Sequence, residues 1–229
     1  DNEKTLKVNQ DYAVIYNNNI NAGAGEIIIK GIGNYSGSAT KTFSISPKDI
    51  ISLSATISFE KEKPFTGSPI ELTIEIKDGK KILVKDADYT LVYSDNINAG
   101  KASIKIEGKG NYAGTVEKTF DITPIDINKL QCSKIENIEY TGAEIKPEIT
   151  LKNENVTATS VKDYTATYLN NIEVGDATIT ITGVGNYIGS MKVNFVIVKK
   201  DIKNTTVSNI NTQLYTGEEI KPEVVVKNN

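Results

Sequence analysis

The heptapeptide "GVGNYIG" at residues 183–189 has two near copies, "GIGNYSG" at 31–37 and "GKGNYAG" at 108–114. A dinucleotide-binding loop needs its glycines after a strand and at the start of a helix, whose free amides hold the phosphates. Here the spacing is G-x-G-x-x-x-G, one residue longer than that fingerprint. The residues that follow, "TVEKTFDIT" (115–123) and "MKVNFVIV" (191–198), tend to alternate apolar with polar side chains. Alternation is the periodicity of a strand, so the loop is predicted to turn one strand into the next, and it recurs because the chain recurs.

Two further markers set the period. The pair "DY" starts at Asp11, Asp88 and Asp163, intervals of 77 and 75 residues, and "TG" starts at Thr66, Thr141 and Thr216, 75 residues apart each time. A unit of this size exceeds the roughly 20–50 residues of a solenoid repeat and is large enough to be a small domain with its own core. The two additional residues of the first interval lie between Asp49 and Thr66, which predicts a surface connection there.

Composition narrows the class. With 38% hydrophobic and 24% charged residues the chain is neither disordered nor membrane-embedded, and a net charge of -3 with no basic stripe speaks against nucleic acid. No run of about 18 apolar residues could span a bilayer, and no apolar signal segment stands at the N-terminus. A start at Asp1 instead of Met predicts a fragment or a processed product. The single cysteine, Cys132, excludes an internal disulfide framework and is expected as a small buried side chain. There is no histidine, which removes Ser-His-Asp and Cys-His catalysis and most zinc arrangements. A paired-carboxylate glycosidase needs a cleft with unique residues, whereas the acidic positions that stand out here are shared by all the units. The expectation is a protein with no catalytic residue, no cofactor and no metal.

One unit shows how strands arise. "PIELTIEI" (69–76) sets Ile70, Leu72, Ile74 and Ile76 on one face and Glu71, Thr73 and Glu75 on the other. Asp78-Gly79 then reads as a two-residue hairpin turn. "DYTLVYS" alternates Tyr89, Leu91 and Tyr93 against Thr90 and Val92; "KASIKIEG" offers Ala102, Ile104 and Ile106; the last strand carries Val116, Phe120 and Ile122. With "IISLSATIS" before Pro64 this makes six or seven short strands and no convincing helix. The predicted fold is all-β, a series of compact β-sandwiches smaller than the roughly 100 residues of an immunoglobulin-type domain, strung as an extended rod.

The third unit, "YTGAEIKPEITLKNENVTATSVKDYTATYLNNIEVGDATITITGVGNYIGSMKVNFVIV", resembles the immunoglobulin-like repeats of long tandem arrays in surface and secreted proteins of Gram-positive bacteria, particularly clostridia and their relatives. The resemblance rests on "YTG" at 140–142, "IKPE" at 145–148, "DYT" at 163–165, "YLNNIEVG" at 168–175 and "GVGNYIG" at 183–189, and it covers essentially the whole chain. It implies an extracellular, cell-surface or secreted setting and a role as stalk, spacer or adhesive module. It brings no catalytic residue with it.

Two sets of residues recur as candidate sites. Tyr35, Tyr112 and Tyr187 in the glycine-rich turns could stack on a sugar ring; the structural alternative folds each ring back over the open end of its sandwich, as a tyrosine corner does. Recurrence in every unit favours the structural role. Asp11, Asp88 and Asp163, with the Asn-rich loops downstream, could ligate calcium between domains, but the acidic density is low and turn geometry accounts for Asn and Asp more simply. The expected domains are 1–48 as the C-terminal part of a repeat, 49–124 and 125–199 as complete repeats, and 200–229 as the N-terminal part of another. Residues 200–229 are expected to complete the sandwich begun by 1–48 of a neighbouring chain or of a longer array. The expected partners are copies of itself or adjoining repeats, with a glycan or protein ligand bound through avidity in an adhesin reading.

Overall fold

The computed structural model describes residues 5–159 and 162–227, which are almost entirely β. Among these residues the helical elements are three 3-10 segments, Ile50–Thr56, Ile127–Lys129 and Ile202–Asn204. No helix among them is long and apolar enough to cross a membrane. The chain divides into two compact units, Asp1–Thr123 and Pro124–Asn229.

Nine long strands come in three triplets: β1 (Tyr12–Asn17), β2 (Gly23–Gly31) and β3 (Ser38–Ile45); β4 (Tyr89–Ser94), β5 (Gly100–Gly108) and β6 (Thr115–Thr123); β7 (Tyr164–Leu169), β8 (Gly175–Gly183) and β9 (Ser190–Val198). Each triplet is an antiparallel meander with its second strand in the middle. Register is the same in all three: Gly25 lies opposite Phe43, Ala102 opposite Phe120, and Ala177 opposite Phe195. Period-two patterning explains it, since a slip of one residue would turn every core side chain to water. On β5, Ala102, Ile104 and Ile106 are buried while Lys101 and Lys105 face solvent.

In the first unit, β4–β6 form a sheet extended by Glu62–Pro64, which runs parallel to Asp121–Thr123. One face of that sheet is covered by the residues that precede it. The 3-10 segment Ile50–Thr56 is capped by the Asp49 carboxylate, which accepts the Ile51 N–H at 3.0 Å. It delivers Ile50 and Leu53 into a core shared with Ile76, Leu83, Tyr89, Ile104, Ile106, Tyr112 and Val116. Lys48–Asp49 pairs in parallel with Tyr112–Ala113, so the segment entering the repeat is stitched to its glycine loop.

The second unit repeats this plan. Ile138–Glu139 runs parallel to Ile197–Val198 at the edge of β7–β9, Ile125–Asp126 pairs with Tyr187–Ile188, and Asp126 caps the 3-10 turn that carries the buried Ile127. Gln131–Cys132, Leu151–Lys152 and Thr157–Ala158 add a small antiparallel sheet. Residues beyond 200 form a capped 3-10 turn at Ile202–Asn204 and a two-residue pairing of Thr206–Val207 with Val226–Lys227.

Four local readings of the sequence need correction. The segment "IISLSATIS" (50–58), expected as a strand, is instead the 3-10 segment Ile50–Thr56, because the Asp49 carboxylate caps it and Ile50 and Leu53 turn into the core. The residues of "PIELTIEI" alternate in burial as expected, but 70–76 make no regular ladder; their amides go elsewhere, Ile70 N–H to Asn96 O at 2.8 Å and Leu72 N–H to the Tyr93 hydroxyl at 2.8 Å. The hairpin turn is centred one residue later than expected, on Gly79 and Lys80, because Asp78 pairs with Lys81 and Gly79 takes the positive φ of 60°. Cys132 is half-buried, not buried, since it sits on a two-residue strand at the edge of the small sheet; burial raises its thiol pKa.

Gly189 holds a φ of 84°, and a Cβ there would lie 2.5 Å from Asp126 Oδ1; Gly185 holds a φ of 65° over open space. Both valine substitutions meet a backbone cost of about 1–2 kcal/mol. Gly189→Val should cost about 1 kcal/mol more, because it also displaces the capping aspartate. Chemical denaturation of the two variants, read on the 125–199 repeat, checks the order.

Candidate functional site: the tyrosine turn and its neighbours

The three glycine loops are closed by the same backbone bonds. The first glycine donates to the carbonyl of the last, Gly31 to Gly37 at 2.9 Å, Gly108 to Gly114 at 3.0 Å and Gly183 to Gly189 at 3.0 Å. Each tyrosine amide donates three residues back, to Ile32, Lys109 and Val184. The amides of those same three residues donate to the carbonyls of Asp11, Asp88 and Asp163 at 3.0, 2.8 and 2.8 Å. Two amides of each loop are thus used within the loop and a third on the aspartate carbonyl, so that the Asp-Tyr pair and the glycine loop are two halves of one device.

The aspartates serve this device with their side chains too. Asp11, Asp88 and Asp163 are all buried, and each carboxylate accepts the N–H of the residue four positions earlier: Lys7 at 2.9 Å, Val84 at 3.0 Å and Thr159 at 2.8 Å. A buried carboxylate is tolerable when hydrogen bonds replace its water. No group of three or more metal-ligating side chains occurs among the described residues. The Asn-rich loops follow turn geometry, with Asn18, Asp95 and Asn170 at positive φ. The next residue in each complete repeat is a clip: Asn96 and Asn171 donate their side-chain amides to Ile70 O and Ile145 O, at 2.9 and 3.0 Å, and accept from the same residues' N–H.

The tyrosines divide. Tyr112 is 6% and Tyr187 3% exposed, so neither ring has a face to offer a sugar, whereas Tyr35 is 40% exposed. Tyr112 anchors a charged cluster: its hydroxyl donates to Asp78 Oδ2 at 3.1 Å, Asp78 Oδ1 accepts from Lys48 Nζ at 2.5 Å, Lys81 Nζ lies 5.0 Å from the ring centroid, and Lys81 also donates to Asp88 at 3.0 Å. The Lys48 hydrogen bond is the main influence that holds Asp78 below the usual carboxylate range. Burial works against Asp88, but the Val84 N–H and Lys81 together keep its carboxyl low. Burial raises the Tyr112 phenol, and the Asp78 carboxylate adds to it. In the other complete repeat these positions are Ile125, Asn153 and Val156, so the cluster belongs to one repeat and not to the fold.

A contact that sequence reasoning missed lies one residue before Tyr112. Asn111 Oδ1 accepts the N–H of Ala22 at 2.6 Å, and Asn111 Nδ2 donates to Asn21 Oδ1 at 2.8 Å. Its own carbonyl meanwhile accepts the Lys48 N–H at 2.9 Å. One residue therefore ties its own repeat together and reaches the loop between β1 and β2. The recurring Asn of the "GNY" string was the available signal, and its partners stand about ninety positions away in sequence.

No protein-family model matches the chain, and no curated protein matches it.

Replacing Tyr187 by Ala should destabilise the 125–199 repeat by about 3 kcal/mol or more, as for other buried aromatics, while Tyr35→Ala should cost far less; thermal unfolding distinguishes them. Asp78 and Asp88 have depressed folded pKa values, so the stability they add is complete above their ordinary value of about 4 and is lost as pH falls through the lower folded values. Asp78→Asn should therefore weaken the 48–123 repeat at neutral pH, with the gap to the parent narrowing as pH falls below the ordinary carboxylate value of about 4. Urea unfolding at several pH values measures it.

Proposed function

We propose that the chain is a non-catalytic stalk or spacer segment of an extracellular bacterial surface protein, built of tandem immunoglobulin-like β-sandwich repeats. The observation that carries this reading is the Asn111 bridge. Between the end of β3 at Ile45 and the first pairing residue of the next repeat, Lys48, there are two residues, Ser46 and Pro47. Proline fixes its own φ and restricts the residue before it. The bonds from Asn111 to Asn21 and Ala22 then add a second tether to the other side of the same junction. Two attachments resist bending where a single flexible linker would not, and resistance to bending is what a spacer needs.

The turn tyrosines support the same reading. Tyr112 and Tyr187 are buried, and the recurrent aspartates hold backbone amides, so the features that repeat most faithfully are occupied in holding each repeat together. A repeat unit whose shared residues all maintain the fold suits a module selected for length and stiffness. Its setting would be the cell surface or the secreted fraction, with adjoining repeats as its partners.

Asn111→Ala should leave the folding of both flanking segments intact and broaden the distribution of distances between spin labels placed on β2 and β5. An unchanged distribution would count against the spacer reading. Specific binding of the chain on a glycan array would favour an adhesin in its place.

A further inference from the structure

Two surfaces of this chain are apolar and exposed, and the complete repeats show what each one fits. The sheet β1–β2–β3 has the same register as β4–β5–β6 and β7–β8–β9, yet its core side chains are open. Ile27, Ile29, Phe43 and Ile45 are half-buried, while their counterparts Ile104, Ile106, Phe120 and Ile122, and Ile179, Ile181, Phe195 and Ile197, are buried. Tyr35 is exposed where Tyr112 and Tyr187 are covered. At Gly114 and Gly189 the space beside the glycine is filled by the capping aspartate, Asp49 or Asp126; at Gly37 nothing lies within 4 Å of the equivalent point.

The second surface is residues 200–227. This segment already holds the backbone arrangement of its counterpart at 125–152. Asp201 caps a 3-10 turn as Asp126 does, Val207 pairs with Val226 as Cys132 pairs with Leu151, and Ser208 N–H bonds Val225 O as Ser133 N–H bonds Thr150 O. Its apolar side chains are nevertheless bare: Ile202 is 68% and Tyr215 92% exposed, where Ile50 and Ile127, the counterparts of Ile202, are fully buried.

We propose that residues 200–227 of one copy dock on the β1–β2–β3 sheet of a second copy and complete there the repeat that 48–123 and 124–198 hold within a single chain. The complete repeats specify the contacts. Asp201 would occupy the space at Gly37, with Lys200 pairing along Tyr35 as Lys48 pairs with Tyr112 and Ile125 with Tyr187. Ile202 would cover Tyr35. Gln213 would run parallel to Ile45, as Lys63 does to Ile122 and Ile138 to Ile197. Ile220 would exchange bonds with Asn19, which stands where Asn96 and Asn171 clip Ile70 and Ile145. Tyr12 would give its hydroxyl to Val224 O, as Tyr164 does to Ile149 O at 2.8 Å. The acceptor and donor thus carry the same clip, cap and tyrosine residues that make the interface in the closed repeats. A donor and an acceptor on one chain give a heterologous, head-to-tail contact, which propagates as a fibre. This inference rests on the spacer reading and adds how segments join end to end.

The test is analytical ultracentrifugation of the 229-residue chain over a range of concentrations. The parent should exceed its 24.9 kDa monomer mass increasingly with concentration. Donor variant Ile202→Asp and acceptor variant Tyr35→Asp should each remain at 24.9 kDa, and a one-to-one mixture of the two should reach twice that mass and no more. Both substitutions fall at exposed positions, and unchanged melting of the 48–123 and 125–199 repeats verifies that the variants fold. Hydrogen exchange on the parent provides an independent reading: the amides of Tyr215 and Ile220 should gain protection as concentration rises. A parent that stays monomeric, assembly that survives both substitutions, or a mixture that stays monomeric would overturn the proposal. None of those results bears on the spacer reading, which the distance measurement on Asn111→Ala decides.

Discussion

Each glycine loop can bury its tyrosine only if the start of the same repeat lies across it. Tyr112 shares a core with Ile50 and Leu53, which stand more than fifty positions before it, and the pairing of Lys48–Asp49 with Tyr112–Ala113 holds that early segment in place. The long-strand meander that makes up most of each repeat is a single sheet, and a single sheet has one apolar face too many. The preceding segment, with its capped 3-10 turn and its extended apolar run, is the layer that covers it. Much else in the chain serves this closure: the aspartate caps, the clipping asparagines, the buried Asp-Tyr pair.

Beyond the edge strand Glu62–Pro64, the cover does not work by extending the sheet. Ile70, Leu72 and Ile76 are buried although their backbone forms little regular ladder: Asn96 meets the amide and carbonyl of Ile70, the Tyr93 hydroxyl those of Leu72, and the Leu83 N–H the carbonyl of Ile76. Bonds of this kind give the polar backbone of a short segment partners while it lies over a sheet face, which lowers the cost of burying it. They also make the cover separable from the sheet, since the two parts meet through packed side chains and a handful of specific bonds. Separability is visible in the chain itself: β1–β2–β3 keeps its register without a cover, and 200–227 keeps its capped turn and its two-residue pairing without a sheet.

The contact between the first meander and the next repeat draws on the same loop. Asn111 faces two ways, its carbonyl toward Lys48 of its own repeat and its side chain toward Asn21 and Ala22. The charged cluster of Lys48, Asp78, Tyr112, Lys81 and Asp88 is a local addition to one repeat, and its absence at Ile125, Asn153 and Val156 shows that the fold does not require it. What repeats is the hydrogen-bonded frame; what varies is the decoration.

The repeat period, the strands from β1 to β9 and the role of the glycine loop as a strand connection were all legible in the sequence, because each is set by local patterning: alternation for strands, glycine and asparagine for turns. The hairpin shift to Gly79 and Lys80, set by the Asp78–Lys81 pairing, was not, and neither was the hold on Asp78 by Lys48 and Tyr112, which stand thirty or more positions away. The double role of Asn111 was hidden for the same reason. Clearest of all is the contrast among Tyr35, Tyr112 and Tyr187, which sit in nearly identical heptapeptides and end at 40%, 6% and 3% exposure. Their local sequence determines the same closed loop in every copy. Whether the ring is buried is decided by tertiary structure alone, because burial depends on a covering segment that the loop's own residues do not encode.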